Sequence, residues 1–405
     1  MSKVRTAIVI GSGIAGPVTA AALAKAGIEA TVHEAYPAES SGGIGGGLAI
    51  APNGQAALGI IGAEESLRAS AIPMRRMVMS MGGAEPFETP GLPDMPPLQM
   101  VNRSDLHRLL RERALAAGVE FAYGKRLVAA DDGPDGVTAR FADGTSAHAD
   151  VLIGADGVRS TVRRLIDPDA PGPDYTGMLG FEGLADLDLD VDPGTMTFAY
   201  GRRAYYLYWR QPGGGTTWGA NLPWKTYMTL NEARTIPADK WLRTLRETYA
   251  DDHPGSDLAE RTTAENLQIT GALHIMPPVP HWHRGRMVLV GDAVHAPSNS
   301  TGQGASLAIE SAIELARCLR DLPAPSSAFA AYERLRRHRV EKITARGAEI
   351  NHAKTPPGPA TRKADSLRMP LDLAMNVEKT MGWEQRHTID WDAPVVPAPT
   401  TASTR

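Results

Sequence analysis

Residues 6–16, TAIVIGSGIAG, place a short apolar run directly before a cluster of glycines. The run is rich in β-branched side chains, which favour a buried strand, and the small residues at 17–26 favour a helix. Gly27 ends that helix, and residues 29–34, EATVHE, predict a second strand. Strand, turn, helix and strand within about 30 residues form a βαβ unit. A parallel sheet therefore begins at residue 6, and the predicted fold class is α/β.

The glycines of this turn have the spacing G-x-G-x-x-G, which is typical of a dinucleotide-binding turn. The first glycine permits the tight turn, the second lets the backbone approach a diphosphate, and the third lets helix and strand touch. The diphosphate would lie at the helix N-terminus, and a carboxylate about 20 residues further on would bind a ribose hydroxyl. This element does not distinguish FAD from NAD. Its candidate cofactor residues are Gly11, Gly13, Ile14, Ala15, Gly16 and Glu34.

The remainder of the chain predicts a second domain inserted into the first. Residues 73–97 are rich in Met, Gly and Pro, and alternating strand patterns dominate from about 171 to 275. A buried strand of first-domain character returns at 286–292, followed by a long helix. We therefore expect a Rossmann-like cofactor domain with a parallel sheet at 1–72, 101–170 and 276–350, a mixed or antiparallel-sheet substrate domain at 73–100 and 171–275, a C-terminal helical segment at 351–392 and a disordered tail at 393–405.

Composition excludes several classes of function. The chain has 405 residues, and 42 Lys and Arg against 46 Asp and Glu give a net charge of −4, so it lacks the basic excess of a nucleic-acid-binding protein. No apolar run approaches the roughly 18 residues of a membrane span, and the N-terminus lacks a signal-peptide pattern. The single cysteine, Cys318, forms no internal disulfide, which is consistent with a cytoplasmic protein. His281 and His283 lack an acidic companion, and no metal site is predicted.

Two later segments resemble the class A flavoprotein aromatic hydroxylases, the p-hydroxybenzoate hydroxylase-like family. Residues 150–160, DVLIGADGVRS, are similar to the family's Asp-Gly motif, and residues 290–295, VGDAVH, are similar to its second FAD fingerprint. The resemblance covers most of residues 4–345. It implies that Asp156 and Gly157 help to hold FAD, that Asp292 binds the ribityl hydroxyls, that Arg103 reaches the flavin side, and that the backbone of Leu127 lies against adenine.

Residues 302–306, GQGAS, open a long helix and support the same function. Amide groups and the positive dipole end of a helix stabilise negative charge on the N1–C2=O edge of a reduced flavin. Relatives commonly carry proline four residues after His295, whereas this chain has Asn299 there and Pro297 two places earlier. The loop beside the flavin therefore departs from the family pattern. The candidate flavin-contacting residues of this segment are Gly302, Gln303, Gly304, Ala305 and Ser306.

The resemblance implies a single-component monooxygenase in which NADPH or NADH reduces FAD, O2 adds to form C4a-hydroperoxyflavin, and an aromatic or polycyclic small molecule is hydroxylated. The cofactor carries the chemistry, so no catalytic side chain is assigned. Aromatic residues of the inserted sheet are expected to line the substrate pocket, with one alternate face of residues 205–209 pointing into it. The candidate pocket residues are Tyr206, Tyr208, Arg210, Trp218, Pro297 and Asn299.

Other functions stay open at this stage. A flavin-binding redox sensor or scaffold without turnover is one alternative. A flavin-dependent halogenase is a weaker one, because residues 218–223, WGANLP, lack the second tryptophan of the halogenase segment and no lysine occurs between Lys25 and Lys125. Epoxidation or Baeyer–Villiger oxidation could replace hydroxylation. The sequence leaves the nicotinamide preference open, and a monomer or a homodimer is expected.

Overall fold

The computed structural model describes residues 3–38, 46–81, 85–354, 372 and 375–397. The strands in chain order are β1 (Thr6–Ile10), β2 (Glu29–His33), β3 (Gly47–Ile50), β4 (Ile72–Met74), β5 (Arg76–Met81), β6 (Phe87–Glu88), β7 (Leu98–Asn102), β8 (Glu120–Ala122), β9 (Leu127–Asp132), β10 (Val137–Phe141), β11 (Ser146–Ala149), β12 (Val151–Gly154), β13 (Asp174–Ala185), β14 (Thr195–Tyr200), β15 (Tyr205–Arg210), β16 (Thr216–Pro223), β17 (Thr262–Ile275), β18 (His283–Arg284) and β19 (Met287–Leu289).

The described helices are fewer than the strands and are longer on average. They are α1 (Ala15–Lys25), α2 (Pro52–Ile60), α3 (Glu64–Ser70), α4 (Arg103–Ala116), α5 (Thr161–Ile166), α6 (Leu230–Thr235), α7 (Ala238–Tyr249), α8 (Gly255–Glu260), α9 (Gly304–Asp321) and α10 (Pro325–Lys354). Two 3₁₀ turns cover Gly291–Ala293 and Asn299–Thr301, a π-helical turn covers Glu378–Gly382, and a short helix covers Trp383–Gln385.

A six-stranded sheet in the order β18-β19-β12-β1-β2-β8 forms the centre of the first domain. Strands β1, β2, β8, β12 and β19 run parallel, with Ile8 of β1 paired to Leu152 of β12 and to Thr31 of β2. Strands β12 and β19 are buried along their whole length, as expected for parallel strands covered on both faces. The α/β prediction is confirmed.

A seven-stranded sheet in the order β17-β13-β16-β15-β14-β5-β6 forms the second layer. Its strands are antiparallel except for the parallel pair β14 and β5. Strand residues alternate between two faces. We call the face that packs against α7 and α8 the helix face, and the face that contacts the small sheet β3-β7-β4 of the first domain the inner face. The inner face is directed toward Gly46 and Gly47, at the start of β3.

The predicted domain boundaries stay a prediction, and two segments differ from it in detail. Within 73–100, only β5 and β6 join the seven-stranded sheet, because β4 and β7 pair with β3 instead. Residues 393–397 were expected in a disordered tail, but Val395 is buried and its amide donates to Asp321 Oδ2 at 2.9 Å. Residues 398–405 lie outside the described residues.

The described ranges contain neither a membrane-spanning helix nor a cluster of metal-ligating side chains. No helix there is long and apolar enough to cross a bilayer. No group of three or more His, Cys, Asp or Glu in that part of the chain is arranged to hold a metal ion.

Candidate functional site

The turn between β1 and α1 is built so that only glycine fits at two of its positions. Gly11 has φ of +100°, and a Cβ there would lie 2.5 Å from the carbonyl oxygen of Ala155. A Cβ on Gly16 would overlap the carbonyl oxygen of Gly11. A Cβ on Gly13, by contrast, would meet no atom within 4 Å. Gly11 and Gly16 therefore close the turn, while Gly13 leaves the open space that a diphosphate at the start of α1 requires.

Glu34 is held beside this turn by backbone amides. Its carboxylate accepts hydrogen bonds from the amide of Ser12 at 2.7 Å and from the amide of Tyr36 at 3.0 Å. The Ser12 hydroxyl lies 3.5 Å from Nε2 of His107, whose pKa is lowered by burial. Ser12 and His107 were not singled out in the sequence, because their proximity depends on the docking of α4 against the turn.

Leu127 lies close to the same end of the site. It is buried at the start of β9, two residues after Lys125, whose amide donates to the carbonyl oxygen of Glu34 at 2.7 Å. The backbone at 125–127 therefore passes beside the carboxylate that is expected to bind a ribose.

Asp292 is the acidic group best placed to receive ligand hydroxyls. It is half-buried, and burial raises the pKa of its carboxyl while the positive charge of Arg103 opposes that rise. Among the described residues no hydrogen bond reaches this carboxylate. Gly291, with φ of +62°, brings it next to α1, since a Cβ on Gly291 would lie 2.9 Å from Cβ of Ala15. A desolvated carboxylate without a protein donor fits the hydroxyls of a ribityl chain.

Asp156 accepts hydrogen bonds from its own turn and from the start of α5. Its carboxylate accepts from the Ser160 hydroxyl at 2.5 Å and from the amides of Thr161 at 2.7 Å and Val162 at 3.1 Å. It thereby caps the N-terminus of α5 and fixes the turn that contains Gly157, which has φ of +76°. Asp156 thus fixes the shape of this turn, and its contact with FAD stays a prediction.

The segment 302–306 forms the start of α9 as predicted. Gly302 adopts φ of +62°, and the first amides of α9 have no partner inside the helix. Gln303 is buried, and its Oε1 accepts from Nδ2 of Asn53 at 2.9 Å. The Ser306 hydroxyl accepts from the amide of Ala51 at 3.1 Å. Helix α2 thus holds the start of α9 in place, with the α9 amides left available for a ligand.

A buried ionic cluster supports this segment from behind. Glu310 of α9 lies 2.6 Å from Arg336 and 2.8 Å from Arg339 of α10, and Asn53 Nδ2 donates to it at 2.5 Å. Burial raises the pKa of Glu310, but the two guanidinium groups outweigh burial and lower it to about 2. Glu310 is therefore ionised. The cluster was not predicted, because its members come from three segments distant in sequence.

His295 belongs to the same support. Its Nε2 lies 2.8 Å from the Ser311 hydroxyl, and burial together with the charge of Arg336 lowers its pKa to about 3. The imidazole is neutral and enclosed, as a packing residue is expected to be.

The predicted pocket aromatics lie on the helix face of the seven-stranded sheet, not on its inner face. Trp218 Nε1 donates to Thr262 Oγ1 at 2.9 Å, the rings of Tyr206 and Trp218 contact Tyr249 of α7, and Tyr208 stacks on Tyr206. Strand alternation then directs the other residues of β15 to the inner face. The helix-face residues are Tyr206, Tyr208 and Trp218, and the inner-face residues of β15 are Tyr205, Leu207 and Trp209.

The other predicted pocket residues lie at the surface or in residues 294–303, the loop before α9, which we call the flavin loop. Arg210 is only partly buried and lies 3.5 Å from Asp188, a surface ion pair. Pro297 is buried, and its Cγ would lie 3.9 Å from a Cβ on Gly304, so it flanks the start of α9. Asn299 is exposed and begins the 3₁₀ turn that Ser298 caps.

An acidic residue on the inner face was missed in the sequence. Glu182 of β13 is largely buried, and its Oε2 accepts from the amide of Gly47 at 2.7 Å. Burial raises the pKa of this carboxyl, and the Gly47 amide opposes the rise. The signal was present in residues 178–185, MLGFEGLA, where one acid interrupts an apolar strand.

Comparisons with known proteins agree with this arrangement. A family model described as FAD binding domain matches residues 3–347. The chain is 35% identical over 378 residues to 3-amino-4-hydroxybenzoate 2-monooxygenase PtnB3 of Streptomyces platensis, covering 88% of this chain and 90% of that protein. It is 30% identical over 384 residues to 6-hydroxynicotinate 3-monooxygenase of Pseudomonas fluorescens, covering 85% and 90%. Klebsiella pneumoniae HpxO, solved with FAD and uric acid, has the same fold, with a TM-score of 0.77, 24% identity and 94% of each chain covered.

Proposed function

We propose, from the premise that this chain belongs to the FAD binding domain family of class A flavoprotein monooxygenases, that it hydroxylates a small aromatic molecule. The balanced reaction converts a ring C–H, NAD(P)H, a proton and O2 into a ring C–OH, NAD(P)⁺ and water. When bound, FAD takes two electrons from the nicotinamide and, with O2, supplies the oxygen atom that enters the ring.

The residues that would hold FAD can be assigned to successive parts of the cofactor, from the diphosphate and adenosine to the flavin ring. The α1 N-terminus at Gly13 suits the diphosphate, and Glu34 suits the adenosine ribose. Arg103 and Asp292 suit the ribityl chain. The amides of Gly304 to Ser306 suit the pyrimidine edge of the flavin, where they would stabilise negative charge.

The protein's contribution beyond cofactor binding is to orient the ring and to exclude water. The inner face supplies buried aromatic and aliphatic side chains, among them Tyr205 at 2% and Trp209 at 3% exposure. These residues replace the helix-face residues as our candidate pocket wall, with Pro297 on the side of the flavin loop. Water exclusion favours transfer of oxygen to the ring over its loss to solvent.

One observation carries the proposal. Asp292 is a partly buried carboxylate that receives no hydrogen bond from the described residues, its neighbour Gly291 lies against Ala15 of α1 and Ala308 of α9, and the charge of Arg103 opposes the rise in its pKa. A hydroxylated chain between a diphosphate and a flavin completes this arrangement.

The substrate class follows from the relatives. The named relatives act on 3-amino-4-hydroxybenzoate and 6-hydroxynicotinate, both single rings. We propose a phenolic or N-heterocyclic ring of that size, acted on by a monomer or homodimer in the cytoplasm, without a nucleic-acid or membrane partner.

The test is anaerobic titration of the FAD-loaded protein with NADPH and with NADH, followed by admission of O2. We expect flavin bleaching that is accelerated by particular phenolic, nicotinic or polycyclic compounds, and a product heavier by one oxygen atom. A fully loaded flavin that neither nicotinamide bleaches with any compound would contradict the proposal and favour the redox sensor or scaffold. A product bearing chlorine or bromine when halide is present would favour the halogenase.

A further inference from the structure

Two polar side chains, Glu182 and Asn221, lie close together on the inner face of the seven-stranded sheet. Glu182 of β13 pairs with Gly219 of β16, and Asn221 lies two residues further along β16 on the same face. Diagonal neighbours of this kind are about 7–8 Å apart. The residue opposite Glu182 is Gly219 and the residue opposite Asn221 is Gly180, so neither facing position carries a side chain that separates the carboxylate from the amide.

Glu182 offers acceptor oxygens beside Gly46 and Gly47, at the start of β3. Its Oε2 takes the amide of Gly47, and the ring of Trp209 lies 3.3 Å from the position of a Cβ on Gly47. A carboxylate has about four acceptor sites, so one backbone amide leaves acceptor capacity for a donor on a ligand.

Asn221 offers a donor that the described protein does not use. The residue is 6% exposed, and its Nδ2 has no hydrogen-bond partner. An unpaired buried amide costs free energy, which a ligand acceptor would recover. Asn221 pairs with Tyr205, over whose ring Nζ of Lys354 lies at 3.7 Å.

We propose that Glu182 and Asn221 select an aromatic ring that carries an N–H donor, either an amino group or a ring N–H, toward Glu182 and an anionic oxygen toward Asn221. The inference rests on the proposed function, because it assigns the inner face to substrate. The two residues would fix which end of the ring points toward β13, an orientation that apolar packing alone would not impose. Glu182 and Asn221 act as specificity-determining residues and take no part in the oxygen transfer itself.

The experiment measures ligand binding to the FAD-loaded protein through the perturbation of flavin absorbance. The two probes are 3-amino-4-hydroxybenzoate and 3-methyl-4-hydroxybenzoate, which differ by an amino group against a methyl group of similar size. A third probe, 2-aminophenol, lacks the carboxylate. The variants are Glu182→Gln, which retains an acceptor for the Gly47 amide, and Asn221→Leu. The control is Glu265→Gln, an exposed carboxylate on β17 of the same sheet.

We expect the wild type and the control to bind the amino compound about tenfold more tightly than the methyl compound, the effect of one hydrogen bond to a charged group. Glu182→Gln should bring this ratio close to one while FAD affinity stays within about twofold of wild type. Asn221→Leu should weaken both carboxylates about tenfold and leave 2-aminophenol nearly unchanged.

An unchanged ratio in Glu182→Gln overturns the assignment of Glu182, and loss of FAD with an unchanged ratio shows that Glu182 only holds the Gly47 loop. Equal weakening of all three probes in Asn221→Leu overturns the assignment of Asn221. A wild type that binds the two benzoates equally, or binds neither, overturns the inference as a whole. Failure of the proposed function is separate, because it shows as absent ligand-stimulated NAD(P)H oxidation in the wild type, whatever the binding ratio.

Discussion

The partial burial of the Asp292 carboxylate lowers the stability of the FAD-free protein, and FAD binding accounts for why such a group is present. A desolvated carboxylate without donors destabilises the folded state, while hydrogen bonds from ligand hydroxyls would offset that cost. We therefore expect Asp292→Asn to leave the FAD-free protein at least as stable as wild type and to weaken FAD binding about 10- to 100-fold. Thermal unfolding of the FAD-free protein and flavin titration would measure the two effects.

The matched control for this prediction is Asp186→Asn, an exposed aspartate just after β13. It should change neither quantity. Flavin retained at wild-type level after gel filtration of the Asp292 variant would contradict the assignment of Asp292 to the cofactor.

At the scale of elements, the contact between α9 and α10 depends on Glu310. Replacing this residue by glutamine leaves Arg336 and Arg339 buried without their counter-charge, and breaking such a pair costs about 3–5 kcal/mol. We expect Glu310→Gln to lower the urea midpoint clearly. Glu341→Gln on α10, whose carboxylate pairs with the partly exposed Arg337, should cost no more than about 1 kcal/mol. Equal midpoints for the two variants would contradict this account.

The same cluster predicts how stability depends on pH. The pKa of Glu310 is about 2 in the folded protein and near its ordinary value of 4.5 when unfolded. The stabilisation is therefore fully present above pH 4.5 and is lost as the pH falls toward 2. Wild-type unfolding midpoints should drop over this window more steeply than those of Glu310→Gln. Parallel pH profiles for the two proteins would show that the cluster does not control acid stability.

The elements also show what local sequence determines and what it does not. The glycine turn and β1 were predicted because their constraints lie within neighbouring residues. The alternation of residues 205–209 was also predictable, yet both faces of β15 are buried, so hydrophobicity alone does not say which face meets the cofactor domain. That choice is made by α7 and α8, which cover the face of Tyr206. Asn53 and Glu182 act through partners far away in the chain, which no local pattern identifies.

At the scale of the whole molecule, hydrogen bonds connect the C-terminal segment 375–397 to the flavin loop. Glu384 is fully buried and pairs with Arg346 of α10 at 2.7 Å, and Arg339 donates to the carbonyl oxygen of Glu384 at 2.6 Å. Arg339 also contacts Glu310, which reaches Gln303 through Asn53. The segment therefore packs against the far side of the support that holds the start of α9.

This connection predicts that FAD binding and docking of the C-terminal segment stabilise each other, since coupling between two sites is reciprocal. FAD should slow amide hydrogen exchange at residues 383–386 more than in the outer hairpin of β10 and β11. Conversely, Glu384→Gln should weaken FAD binding about fivefold, the lower end of typical coupling, although residue 384 touches no expected cofactor atom. Combining it with Asn53→Leu tests the route, because the two effects should then be less than additive. Exchange at 383–386 that is identical with and without FAD would show that the C-terminal segment only covers the α9–α10 surface.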